Sequence, residues 1–123
     1  RERDIFTVAW AMNPEEAARM AAAGADVVGA MIGVTGGGMS GACSVTPLEK
    51  AVLQVQAMVE AAKRESPEVM VLTHGGPFAD VETAQYSIIH TDAVGYAAGS
   101  SGERIPTENA VVDAAKAFKS MHF

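Results

Sequence analysis

Two short stretches carry the residue types that could hold and transform a small anion. His74-Gly75-Gly76-Pro77 follows an apolar run over residues 69–72, and Gly99-Ser100-Ser101-Gly102-Glu103-Arg104 follows another over residues 94–98. Glycines let backbone N–H groups approach a ligand closely, and serine hydroxyls add donors to anionic oxygens. Gly75, Gly76, Gly99, Ser100 and Ser101 are therefore candidate phosphate-binding residues. A histidine placed just after a buried strand can take or give a proton near neutral pH, which makes His74 the first candidate acid/base and Glu103 the second. Arg104 has the planar fork suited to a carboxylate or phosphate. Each residue also has an ordinary structural role: tight turns for the glycines, a loop-fixing hydrogen bond for His74, and a salt bridge at the entry to the last helix for Arg104.

A third stretch, residues 33–44, reads G-V-T-G-G-G-M-S-G-A-C-S and has no hydrophobic period. A loop of that length inside a compact domain is expected to be a mobile lid. Thr35, Gly36 and Gly37 within it join Arg104 as candidate substrate contacts. Cys43 has no basic residue nearby to lower its pKa, so a nucleophilic role is not expected. No His, Cys or carboxylate group has metal-ligand spacing, the methionines read as core filler, and no cofactor is expected.

These stretches need elements to position them. Residues 5–10, I-F-T-V-A-W, have the β-branched and aromatic character of a buried strand. Asn13 is a plausible N-cap, with Pro14 at the first helical position and Glu15 and Glu16 in the first turn, for a helix over 14–23 closed by Gly24. A second strand is expected over 27–32, apolar enough to be buried on both faces. After the glycine-rich loop, Thr46, Pro47 and Glu49 look like a capping box opening a long helix, with Leu48, Val52, Val55, Val59 and Ala62 on its inner stripe. A third strand over 69–72 leads to a helix over 80–89 capped by Asp80. A fourth over 94–98 leads to a last helix capped by Thr107, with Val111, Val112, Ala115 and Phe118 facing inward.

Strict alternation of strand and helix requires crossover connections, so the class is α/β with a parallel sheet. In an eight-unit barrel of about 250 residues each unit takes about 31, and four units would need about 124. The 123 residues present therefore suit a (βα)4 half of a TIM barrel, with a small flavodoxin-like sheet as the alternative. A half-barrel leaves open sheet edges and one uncovered face. The whole chain, 1–123, is thus expected to be a segment of a larger (βα)8 domain, completed by further chain or by a second copy as a homo-oligomer. That it starts on Arg1, just ahead of the first strand, points the same way.

Hydrophobic residues make up 49% and charged residues 20%, a globular composition. The net charge is −6, with 15 acidic against 9 scattered basic residues, which argues against nucleic acid or an anionic membrane as partner. No apolar run approaches the roughly 20 residues of a membrane span, and a single cysteine fits a reducing compartment, so the expected location is cytoplasmic.

At H-G-G-P (His74 to Pro77), A-Q-Y (Ala84 to Tyr86) and G-S-S-G-E-R-I-P-T-E (Gly99 to Glu108) the sequence resembles the C-terminal TIM-barrel domain of the tobamovirus-resistance-like proteins. That domain is also known as phosphoenolpyruvate hydrolase-like, or as a TIM-barrel signal-transduction domain. A-G-A-D (Ala23 to Asp26), G-V-T-G-G (Gly33 to Gly37) and F-K-S (Phe118 to Ser120) agree with it. The resemblance implies that these strands are the fifth to eighth of a barrel. The turns at His74 to Gly76 and Gly99 to Ser101 suit a small anionic metabolite, phosphorylated or a carboxylate, as the ligand. The family commonly has a histidine where this chain has Met31 and an apolar residue where it has Gly102. An enzyme working through His74 and Glu103, and a non-catalytic binding or scaffold domain, are the two functions implied.

Overall fold

The computed structural model describes residues 3–122. Four strand-helix units follow one another: β1 (Val8–Ala11), α1 (Pro14–Ala22), β2 (Val27–Met31), α2 (Leu48–Glu65), β3 (Met70–His74), α3 (Val81–Ile89), β4 (Gly95–Tyr96) and α4 (Arg104–Lys119). The strands form one parallel sheet in the order β1-β2-β3-β4. The expected α/β class with a four-stranded parallel sheet is thus present. The order has no reversal, so it lacks the switch point of a flavodoxin-like sheet.

Local chemistry accounts for the best-defined boundaries. Asn13 accepts the Glu16 N–H at 2.9 Å, Pro14 supplies a preset φ, and Gly24 at φ +90° ends the helix as a left-handed residue. Asp80 and Thr83 form a reciprocal capping box at α3, with the Thr83 N–H donating to the aspartate at 2.8 Å. The Thr83 backbone and hydroxyl donors hold the Asp80 carboxyl below its ordinary range.

One face of the sheet is closed by helices. The register row Ala11–Ala30–Thr73–Tyr96 and its neighbours Val28 and Val71 face α1, α2 and α3, and Ala17, Ala21, Val52, Val55, Val59 and Ala62 of the first two complete the core. The expected stripe of α2 is therefore the buried one. Thr73 is the polar member of this layer, and its hydroxyl is paired with Ser87 at 2.8 Å.

The other face is open. Its central row is Trp10–Gly29–Leu72–Gly95, large and small by turns. Gly29 exists in this row because a Cβ there would collide with the Trp10 ring, and a Cβ at Gly95 would come within 3.2 Å of Leu72 Cδ2. Within this row the large side chains come from β1 and β3 and the glycines from β2 and β4, the alternate-strand layering found inside a closed barrel.

Several sequence expectations need correction. The first strand is not buried: it is an edge, begins three residues later than expected, and leaves Trp10 42% exposed on the open face. Thr46 and Glu49 form no capping box, because extended Pro47 occupies the cap position and no side chain caps α2. The last helix starts at Arg104, and Thr107 lies inside it, its hydroxyl donating to the Glu103 carbonyl at 2.6 Å. No residue of α4 is buried, and Val111 and Phe118 are 63% and 74% exposed. The physical reason is at hand: β4 is a short edge strand and offers α4 little sheet to cover. Among the described residues, no helix is long and apolar enough to cross a membrane.

Candidate functional site

The C-terminal ends of β2, β3 and β4 carry the glycine-rich segments, and parallel pairing brings all three to one rim. His74 is the last residue of β3, side by side with Met31 of β2. Its Nδ1 lies 2.7 Å from the Ala97 carbonyl oxygen, its ring centroid is 4.6 Å from that of Trp10, and a Cβ on Gly99 would lie 3.2 Å from its Cε1. A carbonyl can only accept, so Nδ1 carries a proton and donates it to this bond, which leaves Nε2 as the ring nitrogen free to meet a ligand. Nε2 has no hydrogen-bond partner among the described residues and is not buried, so it is open to a ligand or water.

Backbone donors gather beside this ring. Among the described residues no acceptor takes the N–H of Gly75, Gly99, Ser100 or Ser101. That of Gly75 is the telling one, because the residue is buried and a buried N–H without an acceptor is costly. Gly75 stands at φ +72°, and a Cβ there would strike the Gly33 carbonyl oxygen. Gly76 is spent differently: its N–H donates to Gly33 O and its carbonyl accepts the Gly36 N–H, each at 3.0 Å. These bonds seat the glycine-rich loop directly on the β3 turn.

The remaining candidates divide. Ser100 has no side-chain hydrogen bond among the described residues, whereas Ser101 Oγ is 2.6 Å from the Tyr96 hydroxyl, which itself donates to the Phe78 carbonyl at 2.7 Å. The Tyr96 proton is thus used, Ser101 donates to Tyr96, and its hydroxyl is not a ready donor to an anion. Thr35 is buried and its carbonyl accepts the Ala42 N–H at 3.2 Å. Gly36 is tied to Gly76, and the Gly37 carbonyl accepts from Arg104 at 3.2 Å. Arg104 also holds both oxygens of Glu108, at 3.1 and 3.2 Å, with the two side chains 23% and 18% exposed. Its structural role is therefore filled. Glu103 is exposed, makes no side-chain hydrogen bond among the described residues, and is not drawn to His74 by any of the contacts that hold the ring.

Three contributors were not legible as site residues. Trp10 walls His74, Tyr96 locks the β4 turn, and Glu108 accepts the Met39 N–H at 2.6 Å and the Ser40 hydroxyl at 3.0 Å. The Arg104–Glu108 spacing of four on a helix was the one available signal. The Met39 N–H, then Ser40 and Arg104, hold the Glu108 carboxyl below its ordinary range. A depressed carboxylate contributes above its unfolded value and stops contributing as pH falls through its folded one. Slow amide exchange at Met39 is accordingly expected through neutral pH and is lost only below the ordinary glutamate range; loss near pH 7 would assign the protection to another group.

A groove of about 770 Å³ between α3 and the start of α4 is lined by Ala84, Ile88, Tyr96 and Ile105, and does not include His74. It is apolar, and its one carboxylate, Asp80, is engaged in the helix cap.

Residues 1–121 match a family model described as phosphoenolpyruvate hydrolase-like. Two tomato (Solanum lycopersicum) proteins, the ToMV susceptible protein tm-1(GCR26) and the ToMV resistance protein Tm-1(GCR237), are each 40% identical over 118 residues, 95% of this chain. A Sinorhizobium fredii protein named "Putative transcriptional regulatory protein y4pA" is 26% identical over 121 residues, 98% of this chain. The chain spans 16% of the length of the tomato proteins and 20% of the bacterial one.

Proposed function

The chain belongs to the phosphoenolpyruvate hydrolase-like family, and from that premise and the geometry of the strand ends we propose that it binds a small phosphorylated or carboxylate metabolite and moves a proton on it. The observation that carries this reading is the juxtaposition of an open His74 Nε2 with the unclaimed N–H groups of Gly75, Gly99 and Ser100. Preorganised backbone donors hold an oxyanion without reorganising, and a neutral imidazole held in one tautomer is a competent base toward water or a substrate hydroxyl. Glu103, on the same turn as the β4 donors, is the second proton carrier, and Thr35, Gly36 and Gly37 shape the wall opposite.

The setting proposed for this site is the second half of a (βα)8 barrel. Three features support it: strands in uninterrupted order, a large-small layer on the open face, and an α4 whose apolar side chains lack a covering. Further chain, or a second copy, would close the barrel around the strand ends, where such folds bind ligands and where the last two βα loops commonly hold phosphate.

A second reading, a binding or scaffold domain without turnover, rests on Met31. It stands in register with His74, at the position where the family commonly has a histidine, so an imidazole that could bind or carry a proton there is replaced by a thioether. Both readings keep the anion site.

Inorganic phosphate at about 100 times its Kd is expected to add about 2.7 kcal/mol to the stability of the intact protein. Ser100→Ala should remove part of that, a hydroxyl bonded to a charged oxygen contributing about 1.5–3 kcal/mol. Gly99→Val should remove most of it. Differential scanning fluorimetry reads both. No thermal shift with phosphate, and serine and glycine variants that behave as the parent, would leave the glycines as turns only.

A further inference from the structure

Two side chains on α4 reach across to the glycine-rich loop. Glu108 accepts the Met39 N–H and the Ser40 hydroxyl, and Arg104 donates to the Gly37 carbonyl while gripping both Glu108 oxygens. Partners 67 to 69 residues apart are joined in this way. The loop is shaped for the contact: Gly37 and Gly38 are left-handed at φ +76° and +71°, and a Cβ on Gly38 would run into the Glu108 carboxylate and the Arg104 guanidinium. Ile105 Cδ1 adds an apolar contact, 3.8 Å from where a Gly37 Cβ would stand. At its other side the same loop is bonded to Gly76, next to the unclaimed Gly75 N–H.

We infer that Glu108, acting with Arg104, is a positioning residue: it clasps the loop between the β3 and β4 turns and so sets how tightly the anion site retains its ligand. The inference rests on the anion-site reading. The rival view, that Glu108 merely sits in donors meant for the ligand, requires a free metabolite to displace a carboxylate delivered by the same helix as its arginine. If that view held, removing the carboxylate would free those donors and tighten phosphate binding, the opposite of what a clasp predicts.

The test uses the intact protein with Glu108→Ala and Glu108→Gln, each compared with the parent. Amide hydrogen exchange of residues 36–40 and calorimetric titration with inorganic phosphate are the two readouts. Glu108→Ala should speed exchange at Met39 about tenfold or more, the factor set by losing a hydrogen bond to a charged group. It should also weaken phosphate binding several-fold, although no proposed phosphate donor has been altered. Glu108→Gln keeps one acceptor for Met39 and should fall between parent and Ala in both readouts. Unchanged exchange overturns the clasp. Faster exchange with unchanged phosphate affinity overturns its control of the site, and tighter binding assigns Glu108 to competition instead. A parent that binds no phosphate shows the failure of the anion site itself and removes the inference with it, a result visible before any variant is compared.

Discussion

His74→Asn is expected to lower any turnover of phosphoenolpyruvate by about 10²- to 10⁴-fold, the usual contribution of a positioned proton carrier. Asparagine keeps a donor near the position of Nδ1, so the bond to the Ala97 carbonyl can persist while Nε2 is lost. Phosphate binding should survive, because its proposed donors are backbone groups of Gly75, Gly99 and Ser100. Coupled detection of released phosphate, beside titration of phosphate binding, separates the two effects. If the variant and parent turn over equally, His74 is a loop-fixing residue and the proton passes elsewhere. If the parent shows no turnover of phosphoenolpyruvate or related phosphorylated and carboxylate metabolites, the scaffold reading with Met31 in the histidine's place gains.

Gly75→Val should have the opposite profile, damaging binding and fold together. The residue stands at φ +72°, where a side chain costs about 1–2 kcal/mol. Its Cβ would also strike the Gly33 carbonyl oxygen, and overpacking of a filled site adds about 1–3 kcal/mol. Pushing Gly33 away also strains the Gly76–Gly33 bond and unseats the loop from the β3 turn. A lowered melting temperature with loss of the phosphate-induced shift is the expected outcome. Gly102→Ala is the contrasting substitution on the neighbouring turn, since its Cβ would meet only Ala98 Cβ at 3.4 Å and Gly99 O at 3.8 Å. A Gly75→Val protein as stable and as responsive to phosphate as the Gly102→Ala protein would show that the β3 turn is not needed in this form.

What the sequence discloses of this fold follows the range of the forces involved. Asn13, Pro14 and Asp80 act within four residues of themselves, so the starts of α1 and α3 could be read directly. The stripe from Val52 to Ala62 repeats with the helix and marks its inner side without knowledge of its partner. Trp10 is different: its β-strand character is plain, but only the sheet register shows that Gly29 makes room for it and that His74 stands beside it. The buried first strand and the inward-facing α4 were expected from apolar composition alone. Apolar composition says that a surface is to be covered, and the cover for Trp10, Val111 and Phe118 is not supplied by the described residues.

The site shows the same division. Glycine and histidine types at strand ends pointed to the rim, and the structure brings the β3 and β4 turns together there through His74 and Gly99. Which donors are free depends on long-range bonds that no spacing reveals. Ser100 and Ser101 are adjacent and chemically alike, yet Tyr96 takes the proton of one and leaves the other. Arg104 could equally serve a ligand or a partner four residues on, and the loop carbonyl of Gly37 decides for the second.

The most direct test of the anion site is an amide ¹H–¹⁵N titration of the intact protein with inorganic phosphate. The Gly75, Gly99 and Ser100 resonances should move together along one saturating curve, accompanied by the His74 ring, while Gly36 and Gly76, whose N–H groups are already bonded within the protein, move less. Saturable shifts confined to other surfaces, or no shift at these three amides at millimolar phosphate, would contradict the account.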